Sequence, residues 1–403
     1  MRAATTDKTP GPNSEAPVDH FDAVVVGSSP VCYVTALAEE AAGKRVLMVD
    51  AADSVGGTWK TIDMLGFSNV ELGCHEIDAD KGAYGLMARL GVPLRVMKPQ
   101  PAIFSTSPLL FPKRVSFKNR WLRDFYDVAT GTKNYDVPSS KNLSIKSKAR
   151  GFYRVGRYAV RSWKPGNFPA KYPPGGAMQI VSRLDRLARD AGVEVRCSTR
   201  MANIALDRAA GLVRFDLNGE PATATLLHLT SHSTVGLIAD GSKTIDLNPA
   251  RTVWQTLYFV LSDCPSVNFA YLVFAKPKLI HRASDLSRYA VPGPGRENTR
   301  LIALTIDETS EETEATAREA LRQMKDMGLI RNQAQLEDYA FLPYHFTRVN
   351  EYERPGLERA LEPFVKIHES NLLTRSIKLL MNDVDTEPLV HRAQLLSEVA
   401  LAS

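Results

Sequence analysis

Phe21-Asp22-Ala23-Val24-Val25-Val26-Gly27-Ser28-Ser29-Pro30-Val31-Cys32 is the stretch that decides the fold of this 403-residue chain. Its first half is a short valine-rich run, the pattern of a parallel strand buried on both faces. From Pro30 to Ala42 apolar residues recur at helical spacing, and Gly43 supplies the stop signal. Val46-Leu47-Met48-Val49 is a second apolar run that ends on Asp50. Strand, helix and strand in this order imply a right-handed crossover between parallel neighbours. A glycine pair, Gly56-Gly57, comes six residues after the acid.

This is the layout of a dinucleotide-binding unit. In its full fingerprint the first glycine makes a tight turn, the second lets the backbone approach a pyrophosphate, and the third lets helix and strand pack closely. Gly27 keeps the first place, Ser29 stands at the second and Cys32 at the third. Both replacements are small. The hydroxyls of Ser28 and Ser29 are placed to donate to a phosphate near the helix N-terminus. Asp50 is placed to accept hydrogen bonds from a ribose. The competing reading is an ordinary crossover unit whose ligand site has decayed.

Further along, Tyr172-Pro173-Pro174-Gly175-Gly176 predicts a turn before a helix from about Ala177 to Ala191, and Val193 to Arg196 a short strand. Alternation from Val213 to Leu247 around Asn218-Gly219 and Asp240-Gly241 predicts hairpins. Strands are expected at Val253–Leu261, Phe269–Phe274, Leu301–Ile306 and, as the last one, Asp338–Phe346, with a helix over 310–327. The tail from Leu357 reads as helical. The fold class is therefore α/β, a Rossmann-type FAD/NAD(P)-binding domain with an interleaved α+β substrate domain that contains an antiparallel sheet and helices. The boundaries read as a disordered tail over 1–20, the dinucleotide-binding domain over 21–110 and 172–250, a basic substrate-domain insertion over 111–171, the substrate domain over 251–350, and a helical C-terminal segment over 351–403.

Composition narrows the class. Hydrophobic residues make up 44% of the chain and charged ones 24%, which is ordinary for a globular protein. No run is long and apolar enough for a transmembrane helix, and the polar, proline-rich start is no secretory signal. Cys32, Cys74, Cys197 and Cys264 are far apart, so no metal site is expected and they read as reduced thiols of a cytoplasmic protein. Lys113 to Lys171 holds 15 Lys and Arg against Asp124, Asp127 and Asp136, interleaved with aromatic residues. That suits steering of an anionic ligand, or a solvated basic face. No helix-turn-helix, zinc or RNA-binding signature accompanies it, which sets nucleic acid aside.

The run Asp50 to Thr61, with its Gly56-Gly57 turn, resembles the flavin amine-oxidase superfamily. Glu71-Leu72-Gly73-Cys74-His75-Glu76-Ile77 is similar to the segment in which that superfamily sets a Gly and a His near the flavin ring. Tyr172 to Met178 resembles its Tyr-Pro-x-Gly-Gly-Met lead into a long helix, and Val193 to Arg196 its strand beside the adenine. Leu279-Ile280-His281-Arg282-Ala283-Ser284-Asp285-Leu286-Ser287-Arg288-Tyr289 is similar to a strand-and-turn of UDP-galactopyranose mutases. Leu342-Pro343-Tyr344 stands where those relatives carry a Tyr-Pro pair, with Leu in place of the Tyr.

The resemblance implies FAD as cofactor, held by Gly27, Ser28, Ser29, Asp50, Gly56, Gly57, Thr58, Trp59 and Val195. It implies His75, Arg282 and Tyr344 as the catalytic, substrate-side residues. The bland alternatives are a structural histidine at His75, an Arg282–Asp285 salt bridge, and core packing of Tyr344 and Trp59. The implied activity is hydride transfer from a small anionic substrate to flavin, or a mutase-like reaction on a nucleotide sugar without net redox change. Two departures keep a third class open. Ser29 and Cys32 replace fingerprint glycines, and no glycine follows Gly356, so Glu369 to Ser376 replaces the superfamily's closing Gly-Asp turn. Rab GDP-dissociation inhibitors share the fold without flavin, so a non-flavin binding protein fits that pattern.

Overall fold

The structure, a computed structural model, describes residues 18–73, 81–105, 112–116, 169–230, 233–247, 251–275, 279–306, 310–347 and 354–368. Strand β1 (Asp19–Val26), helix α1 (Pro30–Ala41) and strand β2 (Val46–Val49) form the expected crossover, with Val25 level with Met48. The strand Glu194–Arg196 pairs in parallel with the far side of β2, and the long strand Glu220–Thr230 in parallel with β1. The run is apolar throughout because it is buried twice over. Ala23, Val25, Val46 and Met48 pack toward α1 and the helix Met178–Ala191, while Val24, Val26, Leu47 and Val49 pack into a second cluster with Phe215 and Leu229.

Most of the rest of this sheet, nine-stranded among the described residues, is built from hairpins. Leu212–Leu217 turns at Asn218-Gly219 into Glu220–Thr230, and Leu237–Asp240 returns as Lys243–Asp246. Gly219 needs its φ of +93° there, which only glycine adopts freely. One expectation is corrected. The tail past Leu357 is not wholly helical: the helix Arg354–Leu361 gives way to a strand, Val365–His368, parallel to Glu220–Thr230. Asp338–Phe346 lies within the strand Gln335–Thr347 and is not the last strand.

A second sheet of seven strands runs in the order Gln335–Thr347, Arg251–Ser262, Arg300–Ile306, Ile280–Asp285, Tyr271–Ala275, Ala102–Ser105, Arg114–Ser116. All its neighbours are antiparallel except Tyr271–Ala275 with Ala102–Ser105. Ala102–Ser105 belongs to it although it precedes most of the first sheet in the chain, so the two sheets are interleaved. One face packs on the helix Glu314–Asp326 through Leu257, Phe259, Ile302, Leu304 and Ala283 against Ala317, Ala320 and Met324. The other face meets the hairpin of β3 (Thr61–Met64) and β4 (Phe67–Glu71), where Tyr258, Val260, Leu301 and Ala303 cluster with Phe67 and Val70.

Candidate functional site

Five parallel strands end at one edge of the first sheet, the edge where ligands of doubly wound folds bind. Gly27, Asp50 and Cys197 follow directly on three of these strands. Gly27 continues the pairing, its N–H donating to the Val49 carbonyl at 2.7 Å, and then turns with φ +105°. Ser29 is the N-cap of α1, yet its side chain makes no capping bond, and Pro30 begins the helix. Its φ of −68° and ψ of 162° suit any residue, so the missing second glycine costs no backbone strain. Its hydroxyl lies 3.3 Å from Cys32 Sγ.

Cys32 fills the space a third glycine would leave open. Its thiol points at the Val26 carbonyl, and a Cβ added to Gly27 would meet it at 3.2 Å. Burial, partly offset by Ser29, pushes the thiol up to about 11, which leaves no reactive thiolate.

Asp50 is fixed through both carboxylate oxygens. Oδ1 accepts from the Ala52 N–H at 2.9 Å, and Oδ2 accepts the hydroxyl of Ser28. Its backbone is tied to the neighbouring strand by Asp50 N–H to the Arg196 carbonyl and Thr199 N–H to the Asp50 carbonyl. Ser28 is 1% exposed and turns away from any phosphate, toward this acid. Val195 pairs with Met48 on the outermost strand beside Asp50 and packs on the core below it.

The Gly56-Gly57 turn closes over the start of α1. Gly56 has φ +116°, a conformation open to glycine alone, and its N–H donates to Ser28 Oγ at 2.8 Å. A Cβ on Gly57 would find nothing nearer than Ser29, at 3.9 Å. Thr58 is exposed, whereas Trp59 is partly buried against the core. Gly73, at the end of the hairpin segment, sits so close to Thr58 that a Cβ there would meet the Thr58 side chain at 3.2 Å. The structure thus brings together Gly27, Ser28, Ser29, Asp50, Gly56, Gly57 and Thr58 from three separate segments. His75 and the replacement segment Glu369–Ser376 lie outside the described residues.

Arg282 stands opposite Thr305, which stands opposite Thr256. Paired residues of antiparallel strands share a face, so these three lie on the face that carries Tyr258 and meets the β3–β4 hairpin. Asp285, the alternative partner of Arg282, pairs with Arg300 at 2.9 Å and Arg288 at 3.2 Å. Tyr344 stands opposite Trp254 in the register. Leu342, opposite Thr256, packs against the Tyr258 cluster.

Sequence reading missed Glu71. It is 1% exposed, and its Oε1 accepts from the Ala177 N–H at 2.7 Å and the Tyr172 hydroxyl at 3.1 Å. Tyr258 donates to the carbonyls of Glu71 and Leu72. Burial raises the carboxyl to about 8 against the pull of those two donors. The only signal was local, an acid flanked by Val70 and Leu72 at the end of a strand that also holds Ser68 and Asn69. Among the described residues no group of three or more His, Cys, Asp or Glu could hold a metal, and no helix is long and apolar enough to cross a membrane.

No family model matches the chain, and no curated protein matches it. Solved structures share its fold. An oxidoreductase from Methanosarcina mazei aligns with a TM-score of 0.59 at 12% identity, over 89% of this chain and 99% of its own. Putrescine oxidase bound to putrescine aligns with a TM-score of 0.57 at 14% identity, over 96% and 100%. Reduced UDP-galactopyranose mutase gives 0.55 at 14% identity, over 88% and 87%. At 12–14% identity these likenesses show the fold: the chain has the mixed α/β architecture of these solved proteins.

Proposed function

We propose that the chain is an FAD-dependent oxidoreductase that takes a hydride from a small anionic substrate. One observation carries the reading: the start of α1 without a side-chain cap, the Gly27 turn, Asp50 and the open Gly56-Gly57 turn converge at the carboxyl ends of parallel strands. That constellation fits FAD. The helix start offers backbone N–H groups and a favourable dipole to a diphosphate. Asp50 retains lone pairs for a ribose, since each carboxylate oxygen can accept more than one hydrogen bond. Gly57 lets a flat ligand approach the turn without a side chain in the way.

When bound, the flavin supplies hydride acceptance. The protein's part is orientation and exclusion of water. Thr58 and Trp59 would wall the flavin, and Val195 would offer its strand backbone to the adenine; the resemblance assigns His75 to the flavin side. Arg282, on the sheet face that meets the hairpin, carries the planar guanidinium that suits a carboxylate or phosphate and would face the substrate's anionic group. Tyr344 lies on the same sheet. The Leu279–Tyr289 strand-and-turn supports a second reading, a mutase-like reaction on a nucleotide sugar, in which the cofactor works in its reduced form.

The test is direct. The purified protein is expected to be yellow, or to become so with added FAD, and to release FAD on denaturation. Colourless protein that cannot be reconstituted sinks both flavin readings and leaves a binding protein on this scaffold. Substitution of Gly57 by Val is expected to abolish FAD uptake. Stoichiometric uptake in that variant refutes this placement of the cofactor.

A further inference from the structure

We propose that Ser28 is a positioning residue, whose hydroxyl locks the Asp50 carboxylate and the Gly56-Gly57 turn into one preassembled cofactor cradle. The inference rests on the FAD reading and deepens it. A serine at this place in the turn is otherwise read as a phosphate ligand, and the geometry assigns it a different task.

The direction of each bond is set by its partners. A backbone N–H only donates, so Ser28 Oγ accepts from Gly56 at 2.8 Å. An ionised carboxylate only accepts, so the single hydroxyl hydrogen goes to Asp50 Oδ2. The result is an N–H to O–H to carboxylate chain, whose members polarise one another in the same sense. Its hub is 1% exposed and Gly56 is buried, so neither can turn to water as a substitute partner. The three residues come from three different turns, after β1, after β2 and within the glycine pair.

With the hydroxyl gone, Gly56 N–H loses its acceptor inside the protein, and Asp50 keeps only the Ala52 N–H to hold its orientation. Both consequences fall on groups that would meet the ligand rather than on the hydrophobic core. This bracing also accounts for tolerance of Ser29 and Cys32 at the glycine positions: the cradle is already in place before the ligand arrives, so less ordering is required on binding.

The test titrates the protein, stripped of bound nucleotide, with FAD and separately with ADP, following flavin fluorescence and calorimetry. Wild-type protein is expected to bind both. Ser28→Ala, and the near-isosteric Ser28→Cys in case the first folds poorly, are expected to raise both Kd values about tenfold to a hundredfold. Asp50→Ala is expected to weaken binding as well, and the double variant to lose less than the product of the two single effects, because Ser28 acts partly through Asp50. A purely structural serine would lower thermal stability without that coupling in affinity. If a folded Ser28 variant binds FAD and ADP within twofold of wild type, or if the two substitutions multiply independently, the proposal is overturned while the FAD reading stands. If wild-type protein binds neither ligand, the FAD reading falls and this inference with it.

Discussion

The Tyr172 hydroxyl donates to Glu71 Oε1 across 3.1 Å, joining the end of the β3–β4 hairpin to the turn that leads into the helix Met178–Ala191. The same oxygen takes the Ala177 N–H, and a Cβ on Gly176 would come within 2.5 Å of it. Glycine at 176 therefore has a steric cause beyond its φ of +80°.

This junction makes stability fall as pH rises. The carboxyl stands near 8 in the folded protein and near its ordinary value when unfolded. Its favourable contribution is complete below about pH 4.5 and is lost as pH climbs through 8, with a slope of up to about 1.4 kcal/mol per pH unit between those values. Glu71→Gln keeps an acceptor and removes the titration. Thermal melts from pH 5 to 9 should show a flatter alkaline limb for the variant, and parallel curves would refute the assignment.

Gly27→Ala is expected to cost about 1–3 kcal/mol in urea unfolding, through a left-handed backbone angle unsuited to alanine and a contact with Cys32 Sγ. Cys32→Ala in the same chain should recover the steric share and leave the backbone share.

Asp285 is 1% exposed and held by two arginines, Arg300 through both carboxylate oxygens and Arg288 through one. Arg300 also donates to the carbonyls of Cys264 and Pro265. Arg300→Met leaves Asp285 only the longer Arg288 contact and strips the Cys264 and Pro265 carbonyls of their donor, so it should cost about 3–5 kcal/mol. Arg288→Met should cost clearly less, because the Arg300 bonds to both carboxylate oxygens remain. Equal losses in chemical denaturation would contradict this ranking.

On the acid side the sensitive group is His228. Burial lowers its pKa, against the opposing pull of Glu39, 3.1 Å away. Burial would raise the Glu39 carboxyl, but His228 and Lys44 together hold it down at about 2. His228 Nδ1 lies 2.9 Å from His368 Nε2, which ties the strand Val365–His368 to its neighbour. An unfolded histidine takes a proton near pH 6.5 and the buried one resists, so stability should drop as pH falls below that value. His228→Gln should flatten that limb in melts between pH 7 and 5.

The crossover unit was legible because its two strands are apolar on both faces and its helix ends on Gly43. The hairpin at Asn218-Gly219 was legible from turn chemistry alone. Val365–His368 was not, since a four-residue strand takes its identity from pairing with a distant segment, and the flanking Arg354–Leu361 is helical. At the site, sequence placed Gly27, Asp50 and the glycine pair near one another but could not say where a hydroxyl points. Ser28 looked outward on paper and is inward in the fold. The raised pKa of Glu71 comes from its burial, against the pull of the Ala177 N–H and the Tyr172 hydroxyl, and segments distant in sequence supply both the burial and those donors.

The pairing of Val365–His368 with Glu220–Thr230 also bears on the order of events at the ribosome. The edge of the first sheet that carries Gly27 and Asp50 is finished by the last described segment to be made. A nascent chain can form the crossover early, yet it must wait for nearly the whole sequence to emerge before that edge is complete. Such long-range closure is slow by its topology, and a stalled or shortened product would display an unpaired strand edge that invites association with other chains.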